Sequence, residues 1–157
     1  REELVSLETV ELSSLTKRCV DSLQVNAGKN DVNLSFDGEM CKICANVDMM
    51  EELIINLCDN AIRYNNKNGS VLVRVRKQGE SVVLSVKDNG IGIPKEHQER
   101  IFERFYRVDK SRSKETGGTG LGLAIVKHIV ALHDAKIEVE SEVGKGSEIS
   151  VIFPRVI

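Results

Sequence analysis

Val71, Val73 and Val75 recur at every second position, and after Gly79 the same alternation returns as Val82, Leu84 and Val86. Period two over two adjacent runs, split by a turn residue, predicts a β-hairpin with one apolar face. Such a face must be covered, and the flanking segments have the helical period to cover it. Leu15, Cys19, Val20 and Leu23 share one face of a helix predicted from about Ser13 to Ala27. Leu53, Ile54, Leu57, Ala61 and Ile62 do so in a helix that Asp48 caps and that runs to about Asn66. A third helix is expected over about 120–133, with Leu121, Ala124, Ile125, Ile129 and Leu132 inward. Further strands are expected near 7–10, 32–36, 41–46, 136–142 and 147–153, with Asp37-Gly38 as a two-residue turn between the second and third. A short helix is expected over about 95–105. The sum is an α/β two-layer sandwich, a mixed, mostly antiparallel sheet covered by helices on one face.

The chain of 157 residues fits one domain over 1–157, with 1–6 as the end of a linker from something upstream. Arg1 in place of an initiator Met fits a piece of a longer protein. A net charge of −2, no Trp and 4 % aromatic residues argue against a nucleic-acid surface. No apolar run reaches the roughly 18 residues of a membrane span. Cys41 and Cys44 form a CxxC, but no second ligand pair lies nearby. Within a strand, positions i and i+3 face opposite ways, so reduced, unbridged thiols are expected.

Five stretches carry possible chemistry. In NLCDNAIRY, Asn56, Asn60 and Arg63 lie at i, i+4 and i+7, with Tyr64 one turn beyond Asn60. Carboxamide oxygens are neutral hard ligands suited to Mg²⁺, and a cation one turn on can meet a phosphate; the plain alternative is a solvated polar face. In VVLSVKDNGIGIP, Asp88 follows Val82, Leu84 and Val86 on the inward side. A carboxylate there needs a donor, and Gly90 and Gly92 allow a ligand close to the backbone. An exocyclic amine such as adenine's fits; an Asx-turn is the alternative. In GGTGLGL, four of the twelve glycines, Gly117, Gly118, Gly120 and Gly122, precede a helix whose first N–H groups can face an anion. The run is neither a Walker loop nor a dinucleotide fingerprint, since no Lys-Ser/Thr follows it and position 123 is Leu. FERFYR and the loop carrying Lys110, Arg112 and Lys114 add positive charge. GKGS at 144–147 reads as a hairpin turn when taken alone. His128, beside the apolar stripe of its helix, reads as a partly buried structural histidine.

Taken together and in this order, NLCDNAIRY, DNGIG, FERFYR, GTGLGL and GKGS resemble the ATP-binding domain of sensor histidine kinases. The resemblance covers about residues 7–154 and is similar to membrane sensor kinases of the phosphate-regulon type. It implies the Bergerat fold, ATP and Mg²⁺. It implies an adenine contact at Asp88, metal ligation by Asn60 with help from Asn56, and catalytic parts for Asn56, Arg63 and Arg107. Nucleotide contacts are implied at Tyr64, Gly90, Gly92, Ile93, Tyr106, Arg107, Gly118, Thr119, Gly120, Leu121, Gly122, Leu123 and Ser147. A mobile lid is implied at about 106–119. Two positions depart from the family pattern: Arg63 stands where Lys is usual, and Ser147 where Thr is.

The implied function is a protein-histidine kinase domain that donates the γ-phosphate of ATP to a histidine on a separate dimerising helical domain. A response regulator would follow in the full-length protein. None of His97, His128 and His133 has the surroundings of the family's acceptor, so this stretch alone should not autophosphorylate. A cytoplasmic domain of a membrane-anchored sensor is expected, without membrane contact of its own. The rivals are a nucleotide-sensing module without phosphotransfer and a serine-directed kinase of the same fold.

Overall fold

The computed structural model describes residues 5–106 and 122–156. Strand β1 (Glu8–Glu11) leads into helix α1 (Leu12–Lys29). Strands β2 (Val32–Gly38) and β3 (Lys42–Ala45) precede helix α2 (Val47–Arg63). The hairpin β4 (Gly69–Gln78) and β5 (Ser81–Asp88) follows, then a single 3₁₀ turn (Lys95–His97). Helix α3 (Gly122–Leu132) and strands β6 (Lys136–Glu142) and β7 (Gly146–Pro154) complete the order. Five strands form one sheet in the order β2-β4-β5-β7-β6, while β1 and β3 pair separately. Only β2–β4 is parallel in the larger sheet. Among the described residues no helix is long and apolar enough to cross a membrane.

Alternation decides which face is covered. Val71, Val73 and Val75 on β4 are fully buried, as are Val82 and Leu84 on β5, with Val86 close behind. Helix α1 lies on β2 and β4, α2 on β4 and β5, and α3 beside α2 and against β6. Leu53, Ile54, Leu57, Val126, Ile129 and Phe153 join them in one core. Burying such side chains contributes roughly 1.5–3 kcal/mol each, the main term holding the two layers together.

Five local expectations are corrected. Asp37-Gly38 is no hairpin turn: the chain stays beside β4 until Glu39 N–H donates to Val75 O (2.9 Å), and Arg76 bonds Asp37 through both its backbone and its carboxylate. Strand β3 then pairs with β1. The cap of α2 is Asn46, whose Oδ1 accepts from Met49 N–H (3.0 Å); Asp48 sits in the first turn. That helix ends at Arg63 because the Asn65 side chain takes over local backbone groups, accepting from Asn66 N–H (2.7 Å) and donating to Ser70 O (2.9 Å). The helix expected over 95–105 is reduced to the one 3₁₀ turn, and Phe105 has a left-handed φ of +64°. His128 is exposed; the buried histidine is His133.

Cys41 is buried and Cys44 exposed, as alternation along a strand predicts for i and i+3, and none of the four cysteines is bridged in this structure. Burial pushes the thiols of Cys19 up to about 11 and of Cys58 up to about 12, and raises that of Cys41. A thiolate is the reactive form. Brief treatment of the folded protein with iodoacetamide near pH 7.5 should therefore add one carbamidomethyl group, at Cys44, by intact mass. Four should be added in denaturant.

Candidate functional site

The end of β5 carries the central feature. Asp88 continues the inward series, and its Oδ1 accepts from Gly90 N–H (2.9 Å) and Ser147 N–H (3.2 Å). Among the described residues Oδ2 accepts nothing, so it remains an acceptor for a ligand. Burial raises the carboxyl above its ordinary value, and the two backbone N–H groups oppose that rise.

Backbone closes around this carboxylate. A β-carbon at Gly90 would sit 2.5 Å from Tyr64 O, where the C-terminal end of α2 packs on the loop. Ile91 N–H donates to that same carbonyl (3.2 Å). Gly92 has φ +75°, and a β-carbon there would lie 2.1 Å from Glu142 O. Ile93 N–H donates to Ser141 Oγ (2.8 Å). That hydroxyl in turn donates to Gly146 O (3.0 Å), so Ser147 Oγ, 2.7 Å away, is the donor in their contact. Ser141 thus ties the glycine loop to β7, a role its place in an ordinary alternating strand did not reveal. The GKGS stretch is part of the site and not merely a turn, because its Ser147 N–H holds Asp88.

The α2 residues stand on the other side. Asn56 donates through Nδ2 to Glu52 O (2.8 Å). Its Oδ1 faces the start of α3, 3.0 Å from where a β-carbon of Gly122 would be. The first turn of α3 and the middle of α2 are therefore in contact, with Leu123 packed on the core. The Asn60 side chain makes no hydrogen bond among the described residues. Arg63 directs its Nε at Asp59 (2.7 Å), on the flank of the helix toward α1, where Asn26 also reaches Asp59 (3.4 Å). Tyr106 bonds His97 through its hydroxyl and stacks under Arg100, whose Cζ is 4.3 Å from the ring centre. Arg107, Gly118, Thr119, Gly120 and Leu121, with nearly all of the expected lid at 106–119, lie outside the described residues.

The donor set is selective. Among the described residues no cluster of three or more His, Cys, Asp or Glu could hold a metal by itself. The carboxamides of Asn56 and Asn60 are neutral oxygen donors that would fit a hard divalent cation only if a ligand's phosphate oxygens and waters filled the rest of its shell. Asp88 Oδ2 supplies an acceptor for an amine, and the glycine loop supplies close-packed backbone. These residues fit a purine nucleotide with its metal.

The family model described as histidine kinase-, DNA gyrase B- and HSP90-like ATPase matches residues 45–157. The chain belongs to this ATPase family. Within the family it is similar to the sensor-like histidine kinase SenX3 of Mycolicibacterium smegmatis, at 40 % identity over 154 residues, 98 % of this chain and 40 % of that protein. The signal transduction histidine-protein kinase ArlS of Staphylococcus aureus is 46 % identical over 103 residues, 66 % of this chain and 23 % of its own length. The chain thus spans well under half of either relative. Among solved structures, the catalytic domain of histidine kinase ThkA superposes with a TM-score of 0.83 at 25 % identity, covering 96 % of this chain and 97 % of that one. Full-length ShkA in complex with AMPPNP gives 0.86 at 25 % identity, covering 99 % of this chain and 32 % of that one. The expected Bergerat fold is the one present.

Proposed function

We propose that this chain is the ATP-binding kinase domain of a two-component sensor, passing the γ-phosphoryl group of Mg-ATP to a histidine on a separate helical domain. The observation that carries the nucleotide reading is the Asp88 carboxylate, with one oxygen fixed by Gly90 and Ser147 N–H and the other an acceptor with no partner among the described residues. That pattern matches the exocyclic amine of adenine, a donor. Similarity to kinases named for histidine carries the acceptor class. These relatives do not favour the alternatives, a non-transferring sensor module and a serine-directed kinase.

On this reading Asp88 and Gly90 orient the base, and Asn56 and Asn60 hold the metal. Mg²⁺, when bound, offsets the charge of the phosphates. Arg63 stays on the same helix as those carboxamides, tethered by Asp59, and Arg107 is proposed to act on the phosphates from the adjoining segment. Asn56 is an amide, which has no basic lone pair at neutral pH, so it orients groups and takes no proton from water. The γ-phosphoryl group should therefore await the imidazole nitrogen of the acceptor, leaving ADP. The parent protein is proposed to be a membrane-anchored kinase with this domain in the cytoplasm, serving a response regulator.

The test combines two measurements on the purified chain. Calorimetry should show Mg-ATP binding, and phosphate release at saturating Mg-ATP should fall far below ~1 s⁻¹, the low end of ordinary enzyme turnover. Adding the helical segment that precedes this stretch in the parent protein should produce acid-labile phosphohistidine. Turnover near ~1 s⁻¹ without it would mean a general base is present, and the kinase reading would fail. If release is negligible instead, Asn56→Glu is the informative follow-up, since it should gain hydrolysis if position 56 faces the γ-phosphate.

A further inference from the structure

Among the described residues His133 is one of few buried polar side chains, and the nucleotide reading makes no use of it. It stands just past the end of α3. Its Nδ1 lies 2.8 Å from Ile129 O, a carbonyl that can only accept, so Nδ1 carries the proton. Nε2 is then a bare lone pair, and Asn46 N–H donates to it (3.1 Å). The ring thus joins a carbonyl in the last turn of α3, to which His133 N–H also donates (3.2 Å), to the N-cap residue of α2, whose N–H a helix start ordinarily leaves without a partner. Asn46 reaches further: its Oδ1 caps α2 at Met49 N–H, and its Nδ2 donates to Ser6 O (2.9 Å). Ser6 belongs to the segment by which the chain enters the fold.

The two helices run in opposite senses, so their contacts come in two places. Gly122 opens α3 against Asn56, and His133 closes it against Asn46. Between these points the pair is held by apolar packing, including Val126 and Ile129. Apolar packing is non-directional and allows sliding, whereas a two-nitrogen bridge sets one register. A shift at the His133 end must move Gly122 relative to Asn56 and Asn60.

We propose that His133 is a positioning residue for the nucleotide site: with Asn46 it ties the entering segment at Ser6 to the α2–α3 register on which the placement of Asn56 and Gly122 depends. The purpose of the register rests on the nucleotide reading; the tie itself does not. Movement of the entering segment would reach the site through this bridge, at the opposite end of both helices from the ligand.

Three variants test it. His133→Phe keeps a ring but removes both bonds. His133→Gln returns an acceptor to Asn46 N–H. Asn46→Asp keeps the cap and favours the helix dipole, yet loses the donor to Ser6 O. Amide exchange at residues 56–60 and 122–126 should rise about fivefold or more in His133→Phe, the lower bound for an unpaired buried group, while the β4–β5 hairpin stays unchanged. His133→Gln should return exchange at both stretches toward the parent's, and Asn46→Asp should raise it at 6–10 and 56–60. Affinity for Mg-ADP should fall in His133→Phe and recover in His133→Gln. Parent-like exchange at 56–60 and 122–126 in His133→Phe overturns the proposal, as does an equal rise in the Gln variant. If His133→Phe does not fold, unchanged exchange at 56–60 in Asn46→Asp overturns it. A parent chain that shows this exchange pattern but binds no Mg-ADP overturns the nucleotide function and leaves the tie standing.

Discussion

Asp88→Asn should weaken Mg-ADP binding by about tenfold to a hundredfold and at the same time raise the melting temperature of the nucleotide-free protein. The loss of affinity follows from which atom goes where. Oδ1 is committed to two backbone donors, Gly90 N–H and Ser147 N–H, so the Asn oxygen must take that place. The NH₂ group then occupies the Oδ2 position and presents a donor to the adenine amine, also a donor. An unmade buried hydrogen bond costs about 1–3 kcal/mol, which sets the range. The gain in stability follows from the raised carboxyl, whose burial disfavours the charged form more than the two N–H groups favour it. For a carboxyl raised in the folded state, its stabilising contribution is present below the ordinary value of 3.8 and is lost as pH rises through the raised value. Near pH 7 the ionised group therefore counts against the folded state, and Asn removes that charge. The two proteins should melt together near pH 3.5 and separate as pH rises above the ordinary carboxyl value. Calorimetric titration with Mg-ADP and thermal melts at several pH values check both halves. Equal affinity would sink the adenine contact, and a lower melting temperature at pH 7 would show the charge to be better satisfied than the geometry indicates.

Part of this site was legible because its cause is local. The inward place of Asp88 follows from counting by twos from Val82, and the shared side of Asn56 and Asn60 follows from counting by fours. Ser141 was not legible, because its importance lies in reaching Ile93 and Gly146 across strand boundaries that no local period reports. The Asp59 partner of Arg63 has helical i, i+4 spacing, so that contact is readable from DNAIR. The strand pairing was misread at Asp37-Gly38 for a related reason. Turn chemistry there is favourable, yet Arg76 and Val75 on a strand nearly forty residues away hold the segment extended. His133 is the reverse case: its position after an amphipathic helix suggested nothing, and only the packing of α3 on α2 gives both ring nitrogens partners.

The same logic of contacts from afar makes Gly92→Ala a severely damaging addition of one methyl group at the site. Gly92 has φ +75°, outside the comfortable range of an alanine, a conformation that costs of order 1–3 kcal/mol for a residue with a β-carbon. Strain is the smaller part. The added carbon would lie 2.1 Å from Glu142 O and 2.8 Å from Val143 Cα, atoms of the main chain that cannot rotate away as a side chain would. Relief requires the loop to lift from the end of β6, which breaks Gly144 N–H to Ile91 O (2.9 Å) and Ile93 N–H to Ser141 Oγ. Ser141 also steadies Ser147, whose N–H holds Asp88, so the carboxylate loses its setting as well. Strain and overpacking together should cost roughly 2–5 kcal/mol, a large share of the ~5–15 kcal/mol that holds a typical domain folded. Urea unfolding should show the midpoint moving down with the slope preserved, and Mg-ADP affinity should fall at least as far as in Asp88→Asn. Gly79→Ala is the control, because it also has a left-handed φ, +61°, but open space around it. It should lose only the conformational part and bind nucleotide as the parent does. If the two alanine variants prove equally stable, the close approach of Gly92 to β6 is not what shapes the loop, and Asp88 must be positioned by β5 and Ser147 alone.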